Sequence, residues 1–214
     1  MLTILSKQSS LVSDFLSEIR DVSVQQNRLR FRKNVERIGE ILAYEISKDL
    51  ARKEVDIQTP LGKHKAQVLL EQPVLATVLR AGLALHQGFL NYFDQSDCAY
   101  VSAYRKHTSA HEFEIVVEYL AAPDLQDKTL ILIDPMLATG QSMYLTYKAL
   151  LTKGKPKRLI IAGLIGSEQG LAYLQKNLPD ASIYVADIDA ELDINSYIVP
   201  GLGDAGDLAY GEKL

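Results

Sequence analysis

The stretch at residues 129–142, TLILIDPMLATGQS, constrains the fold of this chain more than any other. Its four apolar residues 130–133 form a short continuous run, which is typical of a strand that a parallel sheet buries on both faces. We expect Asp134-Pro135 to end this strand, because proline has no N–H to donate to a ladder and fixes its own φ. Small and hydroxyl residues at 138–142 then begin a helical pattern. A strand, a tight turn and a helix N-terminus in this order predict an anion-binding site, because the first N–H groups of a helix lack partners.

Three residues of the turn suit an anion. Thr139 and Ser142 offer hydroxyl donors, and Gly140 allows the backbone to approach a phosphate closely. A simpler alternative stays open, since many such junctions use threonine or serine only to cap the helix. The stretch has neither a GxxxxGK[ST] nor a GxGxxG pattern, so it supports neither a Walker loop nor a dinucleotide-binding turn.

Strand and helix patterns alternate along most of the chain, which indicates an α/β fold with a parallel sheet covered on both faces. Such sheets bind ligands beyond the carboxyl ends of their strands. Because Arg80, Arg105 and Asp134 each directly follow a predicted strand, we expect them to converge at one edge of the sheet. The predicted strands are 73–79, 99–104, 113–119, 130–133, 159–164 and 183–186; the predicted helices are a short one through Leu11, Phe15 and Ile19, then 31–50, 83–93, 141–153 and 168–177; a hairpin is predicted at 51–72, a polar loop at 106–111 and glycine-rich loop over the last fifteen residues.

Length, net charge and cysteine content limit the kinds of protein that this chain can be. A chain of 214 residues is long enough for one ordinary domain, 1–214. Its net charge of −4 gives no general attraction to nucleic acid or to an anionic membrane. The single cysteine, Cys98, excludes an intrachain disulfide and fits a reducing compartment. The sequence shows no secretory signal pattern and no apolar run of membrane-spanning length, so we expect a cytoplasmic protein.

A second stretch, YIVPGLGDAG at 197–206, lies far along the chain from DPMLATG at 134–140. Together they resemble the uracil phosphoribosyltransferases, whose members carry DPMLATGGS and YI(V/I)PGLGDAGD. LRAG at 79–82, YR at 104–105 and FR at 31–32 also match. The resemblance is weakest before Phe31 and between Lys106 and Gln126. It implies the type I phosphoribosyltransferase fold, a parallel sheet flanked by helices, with a small hood from the two termini and a β-arm.

The resemblance implies that uracil and 5-phosphoribosyl 1-pyrophosphate (PRPP) are converted to UMP and pyrophosphate in pyrimidine salvage. Mg²⁺ is expected to arrive with PRPP and to need no direct protein ligand, and a homodimer or higher homo-oligomer is expected. The implied catalytic residues are Asp134, Asp204 and Arg105; the implied PRPP-binding residues are Arg80, Arg105, Asp134, Pro135, Met136, Leu137, Ala138, Thr139, Gly140, Gln141, Ser142 and Asp204; the implied uracil contacts are Ile198, Gly203, Asp204 and Ala205.

The sequence departs from the family pattern at three places. Gln141 replaces the second glycine of the PRPP loop, which would strain the loop if the position needs a positive φ and would change little if it is already the first helical residue. Leu208 replaces the basic residue usual after GDAGD, and a lysine usual in the strand after YR is absent near Glu118 and Tyr119. These departures keep two other hypotheses open, a non-catalytic pyrimidine-nucleotide sensor on the same fold and a phosphoribosyltransferase for another base.

Histidines give little support for a metal site. His107 and His111 are four residues apart, but only a helix would place both on one face, and this stretch reads as a loop. His86 falls in a predicted helix and is expected to have a structural role.

Overall fold

The computed structural model describes residues 1–107 and 113–213 of the chain. The strands are β1 (Leu2–Ile4), β2 (Arg52–Thr59), β3 (Gly62–Leu69), β4 (Val74–Leu79), β5 (Cys98–His107), β6 (Phe113–Ala121), β7 (Thr129–Leu137), β8 (Arg158–Ser167), β9 (Ser182–Asp189), β10 (Glu191–Leu192) and β11 (Ile198–Val199). The α-helices are α1 (Leu11–Arg20), α2 (Arg28–Ser47), α3 (Leu83–Leu90), α4 (Gln141–Leu150), α5 (Glu168–Asn177) and α6 (Ala205–Tyr210), and short 3₁₀ turns occupy Leu5–Lys7 and Leu151–Lys153.

Seven of the strands form one sheet, in the order β1-β9-β8-β7-β4-β5-β6 within the described residues. Every neighbouring pair is parallel except β5 with β6. The predicted parallel sheet with flanking helices is therefore confirmed. Parallel pairing also brings the carboxyl ends of β4, β7, β8 and β9 to the same edge of the sheet.

The continuous apolar run in β7 reflects burial on both faces of the sheet. Ile131 and Ile133 belong to one core, which they share with α1, α2 and α3. Leu130 and Leu132 face the opposite core, which includes residues of α4 and α5. All four side chains are fully buried, so an alternating polar pattern could not occur here.

The prediction that Asp134-Pro135 ends this strand is wrong, because β7 continues to Leu137. The sheet tolerates the proline because β7 pairs with β4 only as far as Ile133, so one side of its ladder is already open. On the other side, the register with β8 runs from Asp134 to Met136 and passes over Pro135.

The sequence predicts a glycine-rich loop over the last fifteen residues, but the structure contains a short helix there. Helix α6 begins after Asp204, whose carboxylate accepts a hydrogen bond from the Asp207 N–H at 2.9 Å. Ala205 and Ala209 bury this helix against the main core. Six residues make fewer than two turns, which is too short for a hydrophobic period to be visible in the sequence.

The predicted hairpin is confirmed and forms a separate two-stranded sheet of β2 and β3. The predicted loop at 106–111 is wrong at its start, because Lys106 and His107 belong to β5. His111 lies outside the described residues. No helix in the described part of the chain has the length and apolar character needed to cross a bilayer.

Helices α2 and α3 pack closely enough that only glycine fits at their crossing. A Cβ on Gly39 would lie 2.4 Å from the carbonyl oxygen of Leu85, and one on Gly88 would lie 2.1 Å from the carbonyl oxygen of Glu36. Both approaches are to backbone, which cannot rotate away as a side chain does.

We expect Gly88→Ala to lower the free energy of unfolding by about 2 kcal/mol or more, because the added methyl forces the two helices apart. Chemical denaturation measures the effect. Gly62→Ala is the matched control, since a Cβ there meets no atom within 4 Å. Equal stability of the two variants would contradict the close packing of α2 on α3.

Candidate active site

Of the three residues predicted to directly follow a strand, Arg80 does so, whereas Asp134 and Arg105 lie within longer strands than the sequence predicts. Arg80 comes directly after β4, across a cis peptide bond from Leu79. Asp134 lies within the extended end of β7 instead of after it. The expectation for Arg105 is wrong in detail, because this residue lies inside β5, opposite Ile115 of β6. Strand β5 runs past the predicted end because β6 pairs with it antiparallel as far as His107.

The turn between β7 and α4 has the form expected of an anion site. Gly140 is the N-cap of α4 in the left-handed conformation, with φ of 73°, and it offers no side-chain acceptor to the first-turn N–H groups. Gln141 is the first helical residue and does not have a positive φ. The structure therefore bears out the alternative in which position 141 is already helical and glutamine does not strain the loop.

The neighbouring helix α5 holds this turn in place. Ser167, the N-cap of α5, donates its hydroxyl to the carbonyl oxygen of Ala138 at 2.5 Å and accepts the Gly170 N–H at 2.8 Å. A Cβ on Gly170 would lie 2.1 Å from the same Ala138 oxygen, so the turn and α5 are in direct backbone contact. Sequence reasoning missed Ser167, although it ends a buried strand of the same parallel sheet.

Burial sets the ionisation of Asp134. The residue is 9% exposed, and removal from water raises the pKa of its carboxyl from 3.8 to about 7. The Met136 N–H donates to its Oδ1 at 3.1 Å and opposes that shift in pKa. The Asp134 carboxyl can therefore change its charge near neutral pH.

In the C-terminal segment 198–206, the side chains of Ile198 and Ala205 are buried and leave mainly backbone groups at the surface of the site. Ile198 is 3% exposed and Ala205 is 4% exposed, so both side chains point into the core. Gly203 is exposed with φ of 96°, and a Cβ there would meet no atom within 4 Å. Asp204 caps α6 and has Lys213 Nζ at 3.4 Å.

Two sequence motifs that lie far apart in the chain meet at Arg80. Its Nη2 donates to Asp207 Oδ1 at 3.3 Å and to the carbonyl oxygen of Gly211 at 3.1 Å. The adjacent Ala81 packs against α6, since a Cβ on Gly206 would lie 3.5 Å from the Ala81 Cβ. The turn after β4 and the C-terminal segment are thus neighbours, a contact that the strand-end argument for Arg80, Arg105 and Asp134 did not include.

A cavity of about 240 Å³ opens beside the C-terminal segment. Leu208, the residue that replaces the usual basic one, lines it and packs on the main core. Arg28 at the start of α2 also lines this cavity and supplies a positive charge there. The remaining lining residues are Gln25, Gln26, Leu202, Gly203, Asp204, Asp207 and Glu212.

Carboxylates are the groups available to a hard cation at this edge. Among the described residues, no cluster of three or more histidine, cysteine or acidic side chains could hold a metal ion directly. Asp134 and Asp204 carry the oxygen ligands that Mg²⁺ prefers, and Mg²⁺ usually keeps several of its waters. His86 is buried in α3 with its pKa lowered to about 4 by desolvation, which fits the expected structural role.

Comparisons with known proteins agree over nearly the whole chain. The model of the family described as uracil phosphoribosyltransferase matches residues 6–212. A uracil phosphoribosyltransferase of Porphyromonas gingivalis is 56% identical over 211 residues, covering 98% of this chain and 98% of that protein. One of Thermococcus gammatolerans is 36% identical, covering 97% and 92%. Among solved structures, the AQ2163 protein from Aquifex aeolicus is similar with a TM-score of 0.87 at 27% identity, covering 99% and 98%.

Asp134→Asn is expected to stabilise the fold at high pH. Because the folded-state pKa of about 7 lies above the ordinary 3.8, the buried charge destabilises the fold as pH rises from 3.8, and the penalty is complete above about pH 7. We expect the variant to unfold with a free energy higher by on the order of 2 kcal/mol at pH 8, and the gain to shrink toward pH 5. Denaturation at both pH values measures it.

Asp180→Asn, at an exposed position, is the matched control and should change stability little at either pH. A gain for Asp134→Asn that is absent at pH 8, or that is the same at both pH values, would contradict the buried charge.

Proposed function

This chain belongs to the uracil phosphoribosyltransferase family, a group of pentosyltransferases that act in pyrimidine salvage, and from that premise we propose how its residues convert uracil and PRPP to UMP and pyrophosphate. The observation that carries the proposal is the meeting of the turn after β4, the end of β7 and the C-terminal segment at one edge of the sheet. Three of the motifs by which the sequence resembles the family, LRAG, DPMLATG and YIVPGLGDAG, lie at these places.

The reaction needs positioning and charge stabilisation more than covalent catalysis. Uracil N1 forms a bond to the anomeric carbon of the ribose as the bond to pyrophosphate breaks. The pyrophosphate leaves with the electron pair of that bond, and the proton of uracil N1 is released to solvent. Positive charge grows on the ribose ring while negative charge grows on the leaving group. Fixed charges and dipoles aimed at these two places lower the barrier.

The turn at 138–142 binds the 5′-phosphate of PRPP in this proposal. The Gln141 N–H makes only a long contact to Thr139 Oγ1, at 3.4 Å, and can turn to a phosphate oxygen. The N-terminal end of the α4 dipole and the hydroxyls of Thr139 and Ser142 also favour a dianion. The left-handed Gly140 and its contact with α5 support a rigid turn that needs little rearrangement on binding. Pro135, Met136 and Leu137 lead the chain into this turn at the end of β7.

Asp134 accepts hydrogen bonds from the ribose hydroxyls and stabilises the positive charge on the ring. Its burial supports this role, because a carboxylate in a site of low dielectric constant acts on a nearby positive charge more strongly than one in water. Its free-state pKa of about 7 implies that binding of a cationic or hydrogen-bond-donating group favours the ionised form.

Arg80 and Arg105 bind the pyrophosphate, whose oxygens suit the planar guanidinium group. The Asp207 and Gly211 contacts of Arg80 support a side chain that is held at the site and can exchange a 3.3 Å contact for a phosphate oxygen. Mg²⁺ enters with PRPP, where it neutralises part of the pyrophosphate charge, and Asp204 lies near it through water.

Backbone groups of Ile198 and the run 203–205 read uracil. Uracil presents two carbonyl acceptors and one N–H donor, and a rigid loop can match all three. The burial of the Ile198 and Ala205 side chains supports backbone contacts at these positions. Cytosine places an amino group where uracil has an acceptor, which would leave a protein donor unpaired.

We also propose a homodimer in a reducing compartment, the cytoplasm. The β2–β3 hairpin is a separate two-stranded sheet whose Ile57, Leu61 and Val68 are exposed. Such a hairpin is marginally stable alone, which favours a second chain as its support. The free thiol of Cys98 favours the reducing compartment.

The function is tested by offering different bases with PRPP and Mg²⁺. We expect UMP and pyrophosphate from uracil, and kcat/KM for cytosine and hypoxanthine lower by at least about 10³-fold. Product chromatography measures UMP, and a pyrophosphate-release assay measures the second product. Preference for hypoxanthine or cytosine would make the chain a phosphoribosyltransferase for another base.

Neighbouring alanine substitutions separate the roles of Gly140 and Gln141. Gly140→Ala is expected to raise KM for PRPP at least about tenfold, because alanine disfavours the left-handed conformation and its Cβ would lie 2.7 Å from the Gly170 carbonyl oxygen. Gln141→Ala keeps the backbone N–H and is expected to change KM by less than about twofold. The reverse order of the two effects would contradict the proposed phosphate site.

A further inference from the structure

Arg20, the last residue of α1, connects three elements at the edge of the sheet. Its Nη1 donates to Asp189 Oδ2 at 2.8 Å and to the carbonyl oxygen of Gly201 at 2.8 Å. Its Nη2 donates to Asp187 Oδ2 at 2.8 Å and to Asp189 Oδ1 at 3.1 Å. Arg20 lies in the region before Phe31 where the resemblance to the family is weakest, and no feature of the local sequence indicated it.

Gly201 is held through both of its backbone polar groups. While its carbonyl accepts from Arg20, its N–H donates to Asp189 Oδ2 at 3.0 Å. The residue has φ of 57°, and a Cβ there would lie 2.0 Å from the carbonyl oxygen of Ile198. The turn that joins Ile198 to Gly203 is therefore tight, and the Arg20–Asp189 pair fixes its position.

The same pair connects this turn to the phosphate-binding turn. Asp189 at the end of β9 is the register partner of Ser167 at the end of β8. Ser167 in turn donates to Ala138, at the start of the turn at 138–142. A continuous series of contacts thus runs along the carboxyl edge from Ala138 to Gly201.

We propose that Arg20 is a positioning residue for the uracil-reading segment, which it holds at a set distance from the phosphate-binding turn by joining Asp187 and Asp189 to the Gly201 carbonyl. The inference rests on the proposed function for the part that concerns uracil. It gives α1 a role that none of the motifs matching the family explains.

Arginine suits this position better than lysine. One planar guanidinium group reaches two carboxylates and a carbonyl at once, whereas an ammonium group on a flexible chain cannot span all three. The side chains of Arg20 and Asp189 are 20% and 9% exposed, so solvent screens this pair little. Without Arg20, Asp187 and Asp189 would face each other at the end of one strand with no cation between them, and their repulsion would release the segment.

The test compares Arg20→Met and Arg20→Lys with Arg30→Met. Arg30 is the matched control, because it makes a two-point ion pair with Glu18 of α1 at 2.6 and 2.7 Å but, among the described residues, no hydrogen bond or ion pair with the C-terminal segment. KM for uracil, KM for PRPP, kcat and the melting temperature are measured for each. Hydrogen–deuterium exchange of the peptides that cover 196–204 is measured as well, since it needs no substrate.

We expect Arg20→Met to raise KM for uracil about tenfold, to change KM for PRPP less than about twofold and to accelerate exchange over 196–204. Arg20→Lys should lie between wild type and Arg20→Met in both measures, and it keeps the test open should Arg20→Met fold poorly. Arg30→Met should leave uracil KM and exchange over 196–204 as in wild type.

Two results would overturn the inference: unchanged exchange over 196–204 in both Arg20 variants, or parallel changes in the two KM values that Arg30→Met reproduces. Failure of the proposed function has a different signature, since wild type would then form no UMP from uracil. The exchange measurement still decides in that case whether Arg20 holds the segment.

Discussion

Parallel pairing of β4, β7, β8 and β9 is the constraint on which every candidate functional group depends. It places four carboxyl ends at one edge of the sheet, so residues as far apart in the chain as Thr77 and Ile133 become neighbours. Burial of both sheet faces fixes the register, because a slip of one residue would exchange the two hydrophobic cores. The edge is therefore rigid, and the turns that leave it inherit that rigidity.

The rigid sheet holds the Asp134 carboxyl in a place where loss of water disfavours its charged form. Asp134 lies on a strand that is buried at every position except Met136, and its carboxyl loses hydration that the Met136 N–H replaces only in part. In the mechanism we propose, this unfavourable burial serves a site whose substrate develops positive charge, since the interaction is then stronger in the transition state than in the free protein. In that proposal, the cost to stability and the gain in catalysis have the same physical origin.

The sequence predicted what depends on local pattern and on parallel strands, and missed what depends on pairing geometry. The apolar run 130–133, the helix 168–177 and the hairpin 51–72 were recognisable from periodicity and turn residues. The prediction that the strand ends at Pro135 was wrong because a strand's tolerance of proline depends on its neighbours in the sheet. Helix α6 was missed because six residues carry no visible period. Ser167 and Asp189 are the last residues of buried strands, so attention to strand ends could have found them. The position of Arg20 depends on tertiary contacts alone, which no local pattern indicates.

The central claim is that this edge of the sheet catalyses UMP formation with an ionised Asp134. The most direct measurement is kcat/KM for PRPP, with saturating uracil and Mg²⁺, as a function of pH in wild type and Asp134→Asn. The account predicts a wild-type rate that falls below about pH 7, where the carboxyl becomes protonated, and a variant that is at least about 10²-fold slower and lacks that dependence. A folded wild-type protein that binds UMP but forms none at any pH would contradict the account and identify a non-catalytic pyrimidine-nucleotide binder.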